Sequence, residues 1–180
     1  MRAFVAVDVG EEAAAGRAEG SAPQHLTLRF LGEIDPARVA AISEALEPAV
    51  RDVSPFTLTL DGVGAFPSID RPRVVWIGVT LGADRIRELA GRVAQALGNI
   101  GFASEREEFV PHLTLLRVRS PRDRQRARAI LEGGLPPPPP RSVRVDAIAL
   151  KESTFGPDHR VSHRTVRTFP LHGSEGTEDR

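Results

Sequence analysis

The chain has 180 residues, of which 24 are basic and 24 acidic, so its formal net charge is zero. That balance excludes a protein that coats nucleic acid by long-range attraction to phosphate, and any nucleic-acid contact is expected at a local site. Cysteine is absent, which excludes disulfides, thiolate catalysis and cysteine-ligated zinc. The length suits one compact domain, or two small lobes sharing a core. Apolar stretches fall far short of the ~20 residues of a membrane span. The opening MRAFVAVDVGEE reads as a strand and not as a signal peptide. A soluble cytoplasmic protein without membrane contact is the expectation. Only Lys151 is lysine among the basic residues; arginine suits phosphate, though compositional bias explains the preference as well.

In chain order, Arg2–Val9 is short, apolar and β-branched, and Gly10 stops it, so it opens as a strand. Glu11–Ala22 is alanine-rich and leaves room for only a short helix before Pro23. Gln24–Leu31 alternates, with His25, Thr27 and Arg29 on one face and Leu26, Leu28 and Phe30 on the other. Asp35 is an N-cap candidate with Pro36 at the first helical position, and Val39, Ile42, Ala45, Leu46 and Ala49 follow helical spacing. Phe56–Phe66 and Arg73–Thr80 read as strands, and Asp84–Leu97 as a helix with a stripe of Ile86, Leu89, Ala90, Val93 and Leu97. His112–Val118 is a strand, Pro121–Leu131 a helix, and Pro136–Pro140 an extended connector. Val143–Leu150 and Arg160–Leu171 are the expected closing strands. One bilobal domain over 1–172 and a disordered tail over 173–180 complete the outline.

The main organisational feature is a repeat. His-Leu-Thr-Leu occurs at 25–28 and again at 112–115, each time on an expected strand that follows an apolar strand and precedes a helix. Two similar lobes, each presenting one histidine strand, are implied. They are unequal: Val7 to His25 spans 18 residues and Val79 to His112 spans 33. A parallel crossover needs about a dozen residues, so the first connection is close to that minimum.

On a strand, His25 and Thr27 share a face roughly 6–7 Å apart, and so do His112 and Thr114. Two such strands side by side would set two imidazoles and two hydroxyls around one pocket. In-line displacement at phosphorus needs that set: a neutral imidazole takes a proton from water, and an imidazolium protonates the departing oxygen. The hydroxyls of Thr27 and Thr114 can orient the phosphate, and Arg117 can hold its charge. A single His-x-Thr would be an ordinary half-exposed strand. Core packing accounts for the shared leucines but not for polar His and Thr recurring at the same registers.

The stretches RAFVAVDV, HLTLRFLGEI, GVGAFPSIDRPRVVWIGV, FVPHLTLLRV and IALKEST together resemble the two-histidine phosphoesterase superfamily. The resemblance is greatest to its RNA 2′,3′-cyclic phosphodiesterase branch, also called the 2′-5′ RNA ligase family, and extends from about residue 2 to residue 171. It implies an α+β, bilobal fold: two pseudo-symmetric, antiparallel-rich sheets flanked by helices around a central cleft. It implies metal-independent and cofactor-free opening of an RNA or nucleotide 2′,3′-cyclic phosphate to a 2′-phosphate, reversible as 2′-5′ ligation, by a monomer. His25 would be the general acid and His112 the general base; spacing alone leaves those roles open. Phe30 matches an aromatic that stacks on a nucleobase, although flat alternation puts it opposite His25 and leaves a core role open. Arg117 matches the basic residue ending the second motif, and it too falls opposite His112 in a flat strand.

Three departures from the family pattern stand out. The segment before His25 is short. Tyrosine is absent, and His159 is the candidate for the place it usually takes in GPDHRV. Leu116 stands where alanine is commoner. A metal pair at His159 and His163 is disfavoured, because on a strand they would sit about 13 Å apart; both are expected at the surface. His172 is assigned no role. The arginines at 117, 119, 122, 124, 126 and 128 form either an RNA guide or, the favoured reading, a solvated helix face. No serine-hydrolase elbow or P-loop occurs. Two classes of function are carried forward: an enzyme acting on RNA ends or cyclic nucleotides, and a non-catalytic module that binds RNA ends with the same pocket.

Overall fold

The computed structural model describes residues 1–10, 25–105, 107–136, 139–156 and 161–174, the side chain of Phe155 excepted. Its elements are β1 (Arg2–Asp8), β2 (His25–Glu33), a 3-10 turn (Pro36–Arg38), α1 (Val39–Arg51), β3 (Phe56–Phe66), β4 (Val74–Val79) and α2 (Ala83–Asn99), followed by β5 (His112–Arg117), α3 (Pro121–Leu131), β6 (Arg141–Val145), β7 (Ala147–Phe155) and β8 (Val161–Pro170). The expected helix within 11–22 and His159 lie outside the described residues, as do residues 175–180.

Two four-stranded sheets form, ordered β2-β1-β7-β8 and β5-β4-β3-β6. All pairings are antiparallel. The link from β1 to β2 therefore needs no parallel crossover. Each sheet carries one His-Leu-Thr-Leu strand at its edge, and the two edges lie against one another. This is the expected bilobal α+β arrangement.

One apolar core serves both sheets. Alternate residues of β1 (Ala3, Val5, Val7) meet Leu26 and Leu28 of β2, Leu58 and Leu60 of β3, Ile77 of β4 and Leu113 of β5. The stripes of α1 (Ile42, Leu46, Val50) and α2 (Ile86, Leu89, Val93, Leu97) close over it. Burying each such valine, leucine or isoleucine side chain contributes about 1.5–3 kcal/mol. With the helices on that side, the opposite faces of both sheets are left to line a cleft.

Local signals set several boundaries. Ser120 caps α3 by accepting from the Asp123 N–H, while the Asp123 carboxylate accepts from the Ser120 N–H, with Pro121 at the first turn. Asp35 accepts from the Ala37 N–H, but the turn it starts is the short 3-10 segment, and α1 begins only at Val39. The expected single strand Val143–Leu150 is corrected. The chain breaks at Asp146, so that β6 pairs with β3 in one sheet while β7 pairs with β1 and β8 in the other. Asp146 marks the crossing between lobes, and its carbonyl accepts from the Leu171 N–H at 2.8 Å. The start of the expected tail is tied down: the Gly173 N–H donates to Val53 O at 3.0 Å, and the Ser54 hydroxyl to Ser174 O at 2.5 Å.

Gly64 of β3 lies beneath the indole of Trp76, and a Cβ there would meet ring atoms at 2.3 Å. Gly64→Ala should force the indole off the strand and cost about 1–3 kcal/mol by overpacking. Chemical denaturation followed through Trp76, the only tryptophan, measures this. A midpoint and emission maximum equal to the parent's would refute it.

Candidate active site

Both histidine strands contain a bulge, and it falls at the same place. Along β1 and β2 the pairs are Asp8 with His25 and Ala6 with Thr27, then Val5 with Arg29 and Phe4 with Phe30, so Leu28 is the extra residue. Along β4 and β5 they are Gly78 with His112 and Trp76 with Thr114, then Val75 with Leu116 and Val74 with Arg117, so Leu115 is extra. An extra residue shifts the alternation by one, and directly opposed residues share a face. The residue five after each histidine thus returns to the histidine's face. Phe30 joins His25 and Thr27; Arg117 joins His112 and Thr114. Phe30 is 57% exposed, which removes the core role that flat alternation had left open. Arg29 takes the opposite course. It is buried at 6% exposure, donates to Ala103 O and lies 3.6 Å from the Glu105 carboxylate.

The His112 ring is framed by Phe66 at 4.9 Å and Trp76 at 6.1 Å between centroids. Its Nδ1 is 2.7 Å from Val110 O. A carbonyl can only accept, so Nδ1 carries the proton and Nε2 keeps its lone pair while the ring is neutral. Burial pushes the His112 pKa below its ordinary 6.5; the Val110 bond opposes this and the Arg117 charge adds to it. At neutral pH the ring is therefore an unprotonated base with its free nitrogen fixed by the backbone.

His25 lies in an aromatic cluster of a different kind. Its ring is 4.8 Å from Phe4 and 4.7 Å from His163, nearly perpendicular to the latter at 86°. His25 stands on one outer strand of its sheet and His163 on the other. For the two rings to meet, the sheet must curl so that both edges fold over Phe4 of β1. Lys151 of β7, buried at 4% exposure, is ion-paired with Asp8, which stands across from His25 in the register. A buried ammonium needs such a partner.

Positive charge gathers where the lobes meet. Arg117 of β5 is close enough to His163 of β8 to lower the latter's pKa, after burial and Lys151. The Arg117 guanidinium is itself lowered by burial first, then by Arg119 and Arg2; it stays charged at neutral pH, and the crowding of cations favours an anion. The six expected site residues thus share the cleft faces of two adjoining edge strands.

Sequence reading missed several neighbours. His163 is half-buried in the cleft, against the expectation of a surface residue. Its strand alternation carried no signal of which face would be covered. Phe4, Trp76 and the Val110 carbonyl were equally hidden, because sheet pairing brings them to the histidines. The remaining arginines, at 119, 122, 124, 126 and 128, are exposed, as a solvated face requires. His172 is exposed too, and its backbone N–H donates to Arg51 O at 3.0 Å.

Residues 12–154 match the family model of the 2'-5' RNA ligase superfamily. A curated relative from Aeropyrum pernix, an RNA 2',3'-cyclic phosphodiesterase, is 40% identical over 135 residues, covering 72% of each chain. Among solved structures, TT0787 of Thermus thermophilus matches with a TM-score of 0.74 at 26% identity, covering 97% of this chain and all of its own. Escherichia coli LigT complexed with 3'-AMP matches with a TM-score of 0.69 at 28% identity, over 94% of this chain and 97% of its own. The fold and its paired edge strands define a two-lobed phosphoesterase. The chain belongs to the 2'-5' RNA ligase superfamily.

His112 should titrate below 6.5, and Arg117→Ala should move its midpoint upward by removing a neighbouring cation. Proton NMR of the ring Cε1–H across a pH series measures both. A midpoint at or above 6.5, or one that falls in Arg117→Ala, would contradict this account of the site.

Proposed function

We propose that the protein hydrolyses the 2′,3′-cyclic phosphate of RNA ends or nucleotides to a 2′-phosphate, with His112 as general base and His25 as general acid. The observation that carries this is the His112–Val110 hydrogen bond. It fixes the proton on Nδ1 and leaves Nε2 as acceptor, so it favours the base role for His112 where spacing left the roles open. Water gives its proton to His112 Nε2 as its oxygen bonds to phosphorus. The bond from phosphorus to the ribose 3′-oxygen breaks, and His25 supplies a proton to that oxygen. Thr27 and Thr114 donate to the non-bridging oxygens, and Arg117 holds the developing charge. Phe30, exposed beside His25, offers its ring to the terminal base. With the 5′-hydroxyl of a second RNA in place of water, the same steps form a 2′-5′ phosphodiester as the 3′-oxygen departs with the proton from His25.

Family membership supports the reaction class, since the relative from Aeropyrum pernix carries that activity as its name. Among the described residues no helix is long and apolar enough to cross a membrane. A cytoplasmic monomer is the working unit we infer.

Incubation with cytidine 2′,3′-cyclic phosphate and EDTA should yield the 2′-phosphate. His25→Ala and His112→Ala should each lower kcat by about 10²–10⁴-fold, the usual contribution of a positioned acid or base. The pH–rate profile should be bell-shaped, because one histidine must be charged and the other neutral. Its acidic limb should lie below 6.5, since the lowered His112 pKa keeps the base unprotonated further into acid. Binding without turnover would instead mark a non-catalytic RNA-end module, and a rate that only rises from pH 5 to 9 would exclude the paired roles.

A further inference from the structure

His163 is a titratable group of the cleft that the reaction above leaves unused. It lies closer to His25 than does any other ring described, with centroids 4.7 Å apart and planes at 86°. It also meets Phe4 edge-on, at 5.2 Å and 81°. Its Nδ1 is 3.2 Å from the Ser153 hydroxyl, which fixes the ring from the neighbouring strand. Phe4, His25 and His163 thus form one cluster in which each ring touches the other two.

We propose that His163 is a positioning residue for the reaction: with Phe4 it packs against the His25 ring and holds it, charged, against the departing ribose oxygen. This rests on the acid role of His25 given above. An imidazolium against neutral aromatic rings is stabilised as any cation is at an aromatic surface. The contact works only while His163 is neutral, because two imidazoliums at this distance repel. Its surroundings keep it so. Among the described residues, the charged groups that act on it are Lys151 from β7 and Arg117 from β5, and Asp8 from β1 is paired with Lys151. Arg2 faces the cleft from β1 and crowds Arg117 with further positive charge. Burial and the two nearest cations act in the same direction, lowering the His163 pKa. His163 is therefore the neutral partner that the contact requires.

The test compares His163→Ala, His163→Phe and His163→Lys with the parent. The His25 ring is titrated by NMR, and kcat and KM are measured on cytidine 2′,3′-cyclic phosphate. His163→Ala should lower the His25 midpoint by about half a unit to one unit, the equivalent of one aromatic contact to a cation. The alkaline limb of the rate profile should move down with it. In the same variant kcat should fall about tenfold, with KM within about twofold of the parent's, as expected for a contact that matters to proton donation. His163→Phe, which keeps the ring but cannot titrate, should restore most of both readings. His163→Lys should lower the His25 midpoint further than alanine does, which gives a reading even if the alanine variant does not fold. An unchanged His25 midpoint in the alanine and lysine variants would overturn the proposal. So would a phenylalanine variant as impaired as alanine, since His163 would then act through its own proton. Absence of turnover in the parent would defeat the functional reading alone, because the NMR titrations decide the coupling between the rings without catalysis.

Discussion

The site depends on one backbone irregularity made twice. Each His-Leu-Thr-Leu strand carries an extra residue at its second leucine, Leu28 in one lobe and Leu115 in the other. Without it, a strand of period two would present histidine, threonine and the next alternate residue, and the fifth residue after each histidine would point into the core. With it, Phe30 and Arg117 come to the faces that carry the histidines, and Arg29 turns inward to the Ala103 carbonyl and Glu105. Bulges also increase twist and bend the strand, in keeping with a sheet curled enough to bring His25 and His163 together from its two outer strands.

From this shared frame the lobes diverge, and the divergence matches a reaction that needs unlike partners. In the second lobe the fifth residue is arginine and the histidine is pinned through Nδ1 to Val110, beside Phe66 and Trp76. That environment lowers the imidazole's affinity for a proton. In the first lobe the fifth residue is phenylalanine, and the histidine rests among Phe4 and His163 with Asp8 across from it. In the mechanism we propose, two copies of one tetrapeptide become a base and an acid through their surroundings. The tetrapeptide itself does not distinguish them.

Much of this was legible in the letters. The strand Phe56–Phe66 and the helix Pro121–Leu131 follow from alternation, from Ser120 and Pro121 at the cap, and from the glycines and prolines around them. The repeat located both histidines and both threonines. What stayed hidden was long-range. Alternation within β2 cannot show that Leu28 is an extra residue, because a bulge is defined by the partner strand. The apolar run around Asp146 reads as one strand, since both halves are buried in sheets, though in different ones. His163 looks like a surface residue until a curled sheet lays it against a strand nearly 140 positions earlier in the chain.

The central claim is that two imidazoles from separate lobes flank a single phosphorus atom. A crystal structure of the protein with inorganic phosphate tests it most directly. One anion should lie between the rings, within hydrogen-bonding distance of His112 Nε2 and of a His25 ring nitrogen, with the Thr27 and Thr114 hydroxyls on its remaining oxygens. An anion held by one histidine alone, or two anions each on a separate lobe, would contradict the account.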